Sequence, residues 1–261
     1  MILNVNAAEM HVEESGEGKT IIFIHGSMLD SRIWAPQVEI LKLGFHCITY
    51  DLRGHGRSSP LPHMPFSHSG DLEGIMNAMG IDKAVLIGFS LGGVIATIFT
   101  VQNPYRTRAL VLVSSDMFGA PTDENYIRFL ASLKLAFRTG GPEKAARRYM
   151  DSDLMRNVQK QPIVRNRIEE MVSKHRWEIF SEDAPNGFKK TITRLDLMDL
   201  RTPTLVVYGE KDIPRFINIA KILTSTIPDA GLVAIPEADH FPNMEQPDIF
   251  NSKLIEFVES L

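Results

Sequence analysis

Ala84-Val85-Leu86-Ile87-Gly88-Phe89-Ser90-Leu91-Gly92-Gly93 is the stretch that decides how this 261-residue chain folds. The run Ala84 to Ile87 is apolar without polar alternation, as in a strand buried on both faces, and Val94 to Val101 is compatible with a helix. Between them, Gly88 to Gly92 fits G-x-S-x-G, in which a sharp strand-to-helix turn lifts a serine out of the sheet as a candidate nucleophile. Gly88 and Gly92 keep side chains from crowding that turn, and Gly93 lets the helix approach the sheet. A chance Gly-Ser-Gly turn would explain the glycines but neither the strand before nor the helix after.

Similar apolar runs lie on either side: Thr20 to Ile24, His46 to Tyr50, Ala109 to Val113, Thr204 to Tyr208 and Gly231 to Ile235. Each precedes a polar or glycine-rich loop and is expected to be a strand of the sheet core. Segments with helical spacing separate them, such as Ile75, Met76 and Met79, or Phe250, Leu254, Phe257, Val258 and Leu261. Alternation of this kind implies an α/β fold with a mostly parallel central sheet flanked by helices. Ile2 to Val5 and Met10 to Glu13 are too close together for a crossover helix, so an antiparallel hairpin is expected there. The alternation stops after Val113 and resumes near Leu200. Helix-compatible stretches around Ile127 to Leu135 and Ile163 to Val172 fill the gap, which reads as a small helical cap inserted after the sixth strand. The expected division is a core of residues 1–118 and 201–261 and a cap, or lid, of residues 119–200.

With 44% hydrophobic and 23% charged residues, the composition is that of a globular domain with a substantial core. A net charge of -4 offers no broad positive field, so nucleic acid is not an expected partner. No run reaches the length of a membrane span, the start lacks the features of a signal peptide, and the one cysteine, Cys47, reads as a buried thiol. A cytoplasmic protein acting away from the membrane is the expectation, and the oligomeric state is left open. Dinucleotide, P-loop and H-E-x-x-H zinc motifs are missing, so no cofactor and no metal are expected.

His25-Gly26-Ser27, Asp51-Leu52-Arg53-Gly54-His55-Gly56-Arg57-Ser58, the Ser90 turn, Gly209-Glu210-Lys211-Asp212 and Asp239-His240-Phe241 together resemble the α/β-hydrolase family over nearly the whole chain outside the insertion. More narrowly, the marks, including the tail His240 to Pro247, look like those of the carboxylesterase and 3-oxoadipate enol-lactonase branch. The resemblance implies a serine hydrolase. Serine needs a base within hydrogen-bond reach and a group that orients the base. His240 is the expected base, after the last strand, and Asp212, after the strand Thr204 to Tyr208, the expected acid. The chain order Ser90, Asp212, His240 is the one this fold uses. Asp116, after the strand ending at Val113, is the rival acid, and Asp239 reads as a loop carboxylate. The backbone N–H of Leu91, at a helix start, suits an oxyanion. By resemblance the second donor is the N–H of Ser27, with Met28 as fallback.

Met28, Phe89, Leu91 and Phe241 border these positions and are the substrate-pocket candidates, whereas Trp34, Trp177, Phe118 and the methionines at large read as core. The segment from Asp51 to Ser58 reads as a structured loop. The expected substrate is a small molecule, a carboxylic ester cleaved through an acyl-enzyme on Ser90. The specific alternative is a lactone of the 3-oxoadipate enol-lactone type, for which Arg138, Arg147, Arg148 and Arg176 are available as cap cations. Carbon-carbon bond hydrolysis, cofactor-free perhydrolysis and a non-catalytic ligand receptor on the same fold are further alternatives.

Overall fold

The computed structural model describes residues 1–188 and 191–261. Its strands are β1 (Ile2–Val5), β2 (Ala8–Ser15), β3 (Lys19–Ile24), β4 (Phe45–Tyr50), β5 (Ala84–Phe89), β6 (Thr107–Val113), β7 (Thr204–Gly209) and β8 (Gly231–Ile235). They form one sheet in the order β1-β2-β4-β3-β5-β6-β7-β8. From β4 onward through β8 every pairing is parallel, and β1 and β2 add antiparallel strands at one edge. The expected hairpin is present, with Ile2 opposite His11 and a turn at Asn6 and Ala7, both at positive φ.

The sheet interior follows from the apolar runs. Every residue of β5 is buried, as are Ile21 to Ile24 of β3. One expected core strand behaves differently: β8 is the edge strand beyond β7, and Leu232 is 41% exposed. An apolar run says that a segment pairs into a sheet, but a strand at the margin has a neighbour on one side and less cover above.

The helices are α1 (Ala35–Leu41), α2 (His68–Ala78), α3 (Leu91–Gln102), α4 (Glu124–Met150), α5 (Pro162–Lys174), α6 (Arg194–Met198), α7 (Pro214–Thr226), α8 (Pro242–Glu245) and α9 (Pro247–Glu259). Helix α3 lies on β5 and β6, α2 packs against α3, and α1 packs against α9. The insertion after β6 contains α4 to α6; residues 189 and 190, inside the expected 119–200 cap, lie outside the described residues. Helix α4 breaks at Gly140 and Gly141, where Gly141 takes φ 67° and Pro142 follows. Among the described residues no helix is long and apolar enough to cross a membrane.

The strand order positions the site. The chain runs from β3 out to β4 on one side and returns to β5 on the other, so the order reverses between β3 and β5. In a parallel sheet the crevice for a ligand opens at the carboxyl ends of the strands flanking such a reversal. Ser27 follows β3 there and Ser90 follows β5.

Candidate active site

Ser90 sits between β5 and α3 with φ 51° and ψ -113°, a conformation that costs an L-residue on the order of 1–3 kcal/mol. Its surroundings hold it there. The Ser90 N–H donates to Val113 O at 3.0 Å, and Ser90 O accepts from the Gly93 N–H at 3.0 Å. A Cβ on Gly92 would stand 2.6 Å from His25 O, so a glycine is needed for the β3 loop to lie against the start of α3.

His240 and Asp212 come from loops that are stitched together. The N–H of Glu210 donates to Ile235 O and that of Lys211 to Ala238 O, both at 2.9 Å. Gly209 passes so close to the 238–239 backbone that a Cβ there would strike Asp239 O. Across this seam His240 Nδ1 meets Asp212 Oδ2 at 3.0 Å, with both side chains buried. Asp212 Oδ1 accepts from the Ile213 N–H at 2.7 Å, which fixes the carboxylate plane. The imidazole is flanked by Phe216 at 4.2 Å and Phe89 at 5.0 Å between ring centroids. With Asp212 on Nδ1, the proton resides there and Nε2 presents a lone pair.

Glu245, which the sequence reading left unassigned, brackets this loop. Its buried carboxylate accepts from the Phe241 N–H at 3.0 Å and the Asp239 N–H at 3.1 Å, on either side of His240. Asn157 of the insertion donates its side-chain amide to Glu245 and its backbone N–H to Asp239 Oδ2, the latter at 2.8 Å. Burial pushes both carboxyls above their ordinary range. Asp239 is a loop carboxylate whose partner lies in the insertion.

Ser27, Ser90 and Leu91 line a cavity of about 260 Å³. Neither the Ser27 nor the Leu91 N–H is hydrogen-bonded among the described residues, nor is Ser90 Oγ. Val94, Met117, Phe118, Tyr126 and Phe188 form the apolar wall. Of the sequence-based pocket candidates, Leu91 lines this cavity, whereas Met28, Phe89 and Phe241 are 5%, 1% and 0% exposed and pack behind it. Met28 takes φ 61° at the turn after Ser27, and Phe241 stacks on Phe89 at 5.3 Å. Phe118 and Met117, read as core, are wall residues instead; Trp34 and Trp177 are core as expected. Apart from Val94 of α3, the wall consists of side chains from the insertion and the post-β6 loop, whose convergence leaves no local pattern.

Asp116 does not meet the imidazole. Its Oδ1 accepts from Arg215 Nη2 at 2.6 Å and from the Met117 N–H at 2.8 Å. Arg215, three residues after Asp212, also lines the cavity and lies over the Tyr126 ring at 4.5 Å. The four cap arginines are elsewhere. Arg138 pairs with Glu182, Arg147 is exposed beside Glu143, Arg148 lies over Phe129, and Arg176 donates to Ser58 O at 2.8 Å.

The Asp51 to Ser58 segment is a structured loop. Asp51 accepts from the Ser31 and Arg57 N–H groups at 2.8 and 2.9 Å, and Arg53 forms a buried pair with Asp71 at 2.7 Å. His25 accepts from the Leu52 N–H at Nε2 and so donates from Nδ1 to Gly26 O, at 2.9 and 2.8 Å, pinning the loop that carries Ser27. His55 packs against His25 with the rings tilted, and His175 of the insertion packs in the same tilted way on His55 at 4.6 Å between centroids. Burial pushes all three imidazoles down, His175 to about 3.

A family model described as the alpha/beta hydrolase fold matches residues 19–247. A pimeloyl-[acyl-carrier protein] methyl ester esterase of Pectobacterium atrosepticum is 28% identical, over 97% of this chain and 100% of its own length. Among solved structures, a thermophilic esterase from Thermogutta terrifontis superimposes with a TM-score of 0.85 at 27% identity, covering 100% of this chain and 98% of its own. An enol-lactonase from Burkholderia xenovorans superimposes at 0.84 with 24% identity over 99% of this chain and 100% of its own, a likeness of fold.

Proposed function

Because the chain belongs to the α/β-hydrolase family, we propose that it hydrolyses small carboxylic esters through an acyl-enzyme on Ser90, with His240 as general base and Asp212 as its orienting acid. The observation that carries this reading is the buried Asp212–His240 hydrogen bond at 3.0 Å, with the imidazole against Phe89, the residue before a serine held at positive φ. The esterase names of the relatives agree with it.

In the proposed reaction Ser90 Oγ attacks the ester carbonyl carbon while its proton passes to His240 Nε2. Asp212 stabilises the imidazolium through Nδ1–H. Negative charge collects on the former carbonyl oxygen, where the N–H groups of Ser27 and Leu91, without a partner among the described residues, receive it, reinforced by the N-terminal end of α3. The carbon–oxygen bond to the alcohol breaks, and the departing oxygen takes the proton from Nε2. Water then repeats the sequence, giving its proton to Nε2 as it attacks the acyl carbon, and Ser90 recovers its proton as the acid leaves. The Ser90 to His240 contact has to form with substrate in place, as catalytic hydrogen bonds commonly tighten only in the complex.

Residues 119–200 act in this proposal as the cap, joined to the 1–118 and 201–261 core through Asn157 and His175, with Tyr126 and Phe188 closing the cavity against water. Neutral esters are favoured over the dicarboxylate lactone reading because none of Arg138, Arg147, Arg148 and Arg176 is among the residues lining the Ser90 cavity, and Arg215, which does line it, is already paired with Asp116. A fluorophosphonate probe is expected to label wild type and not Ser90→Ala, and short aryl esters to give a burst of alcohol. Absence of both labelling and turnover in folded protein would end the proposal.

A further inference from the structure

Among the described residues the Ser90 cavity contains one charged pair that the proposed triad does not use. Arg215 and Asp116 meet at 2.6 Å, with side chains 13% and 25% exposed. The Asp116 N–H points at Ser90 O at 3.4 Å, which puts the pair next to the serine. Around it the wall is apolar, formed by Val94, Met117, Phe118 and Phe188. Apolar residues of similar volume would commonly be as stable as a sequestered ion pair, so its stability does not account for its being there.

The pair also has unused hydrogen-bonding capacity. Among the described residues Asp116 Oδ2 accepts nothing, and Arg215 spends one N–H of Nη2 on Asp116 and one of Nη1 on Pro121 O at 3.3 Å, so each of these nitrogens keeps a second N–H. The guanidinium charge is already compensated by Asp116. A carboxylate arriving in the cavity would find donors on Arg215 but like charge on Asp116. An amide offers a carbonyl to the donors and an N–H to the acceptor, and carries no charge.

We propose that Asp116 and Arg215 form a specificity-determining pair that selects esters or lactones bearing an uncharged group able both to donate and to accept hydrogen bonds, an amide above all, and rejects those bearing a carboxylate. This rests on the ester-hydrolase reading of Ser90 and narrows its substrate class. The pair acts on the part of the substrate away from the scissile bond, so its effect is a ratio between substrates.

The test compares kcat/KM for the para-nitrophenyl esters of pentanoate, glutaramate and hemiglutarate, which share a chain length and differ in the end group. Active protein is counted by fluorophosphonate titration. Wild type is expected to prefer the amide to the carboxylate by about tenfold or more, the scale of one site-specific polar contact. Asp116→Asn releases the Arg215 charge and should shift the carboxylate-to-amide ratio about tenfold toward the carboxylate. Arg215→Gln leaves Asp116 uncompensated and should shift it about tenfold the other way. Either variant suffices if the other fails to fold. Ratios within about twofold of wild type in whichever variants fold, with normal turnover of the pentanoate ester, overturn the proposal and leave the esterase reading standing. A wild type that turns over none of the three esters and takes no label overturns the esterase reading and this inference with it.

Discussion

Changing Glu245 to glutamine swaps one carboxylate oxygen for an amide nitrogen in a side chain that is 4% exposed. Oε1 accepts from the Phe241 N–H, while Oε2 accepts from the Asp239 N–H and from Asn157. Glutamine has one oxygen, and it serves best on the side with two donors. Its NH2 then faces the Phe241 N–H, donor against donor, and one buried N–H next to His240 goes unpaired. That loss is about 1–3 kcal/mol. The native carboxyl is pushed up by burial, so glutamine also removes a desolvated charge, which moves the expectation toward the lower end. For a chain of this size about 1–3 kcal/mol corresponds to a fall in Tm of roughly 2–12 °C. The same unpaired N–H lets the His240 loop drift, and displacement by about 1 Å can cost on the order of 10²-fold in rate. Glu245→Gln is therefore expected to lower kcat on a neutral aryl ester by about 10–100-fold with KM little changed. Glu245→Ala, which unpairs both N–H groups, should cost about 2–6 kcal/mol. Thermal melts by circular dichroism and steady-state kinetics on titrated active sites measure both effects. A Tm within about 1 °C of wild type together with kcat within about twofold would refute the idea that this carboxylate holds the loop.

Three further outcomes are expected. Asp212→Asn keeps the loop geometry but offers His240 Nδ1 the wrong partner, so kcat should fall by about 10⁴ while the neutral-ester KM stays near wild type; a loss below about tenfold in steady-state assays would point to another acid. Gly92→Ala drives a Cβ toward His25 O, and should either prevent soluble expression or lower Tm by several degrees, whereas a normal melt would mean that the β3 loop can move aside. Stability should fall on acidification. His25, His55, His68 and His175 are held neutral by burial, with folded pKa values below the unfolded 6.5 and those of His68 and His175 near 3. Between those limits the unfolded chain binds more protons, so each such histidine removes up to about 1.4 kcal/mol of stability per pH unit as pH drops below 6.5. Asp239 and Glu245, raised in the fold, act with the opposite sign and only partly offset this. A Tm that does not change between pH 7 and pH 5 would contradict the assignment.

Local pattern was enough for much of this molecule. A strand buried on both faces shows itself as an uninterrupted apolar run, and a glycine turn between such a run and a helix can be read where it stands. The parallel sheet, the hairpin at Asn6 and Ala7, the helical insertion after β6 and the site of Ser90 were all legible in that way. Asp212 and His240 were singled out through the resemblance to the α/β-hydrolase family; the two side chains meet at 3.0 Å, and their roles belong to the proposal. Tertiary structure alone decided the rest. It put β8 at the exposed margin, turned Phe89 and Phe241 inward against His240, and brought Met117, Phe118, Tyr126 and Phe188 together as the cavity wall. It also bound Asp116 to a residue 99 positions away and placed Glu245 astride the His240 loop. Periodicity records which face of an element is buried. What that face meets depends on contacts between distant segments, and a single charged side chain such as Arg215 or Glu245 leaves no periodic trace of its partner.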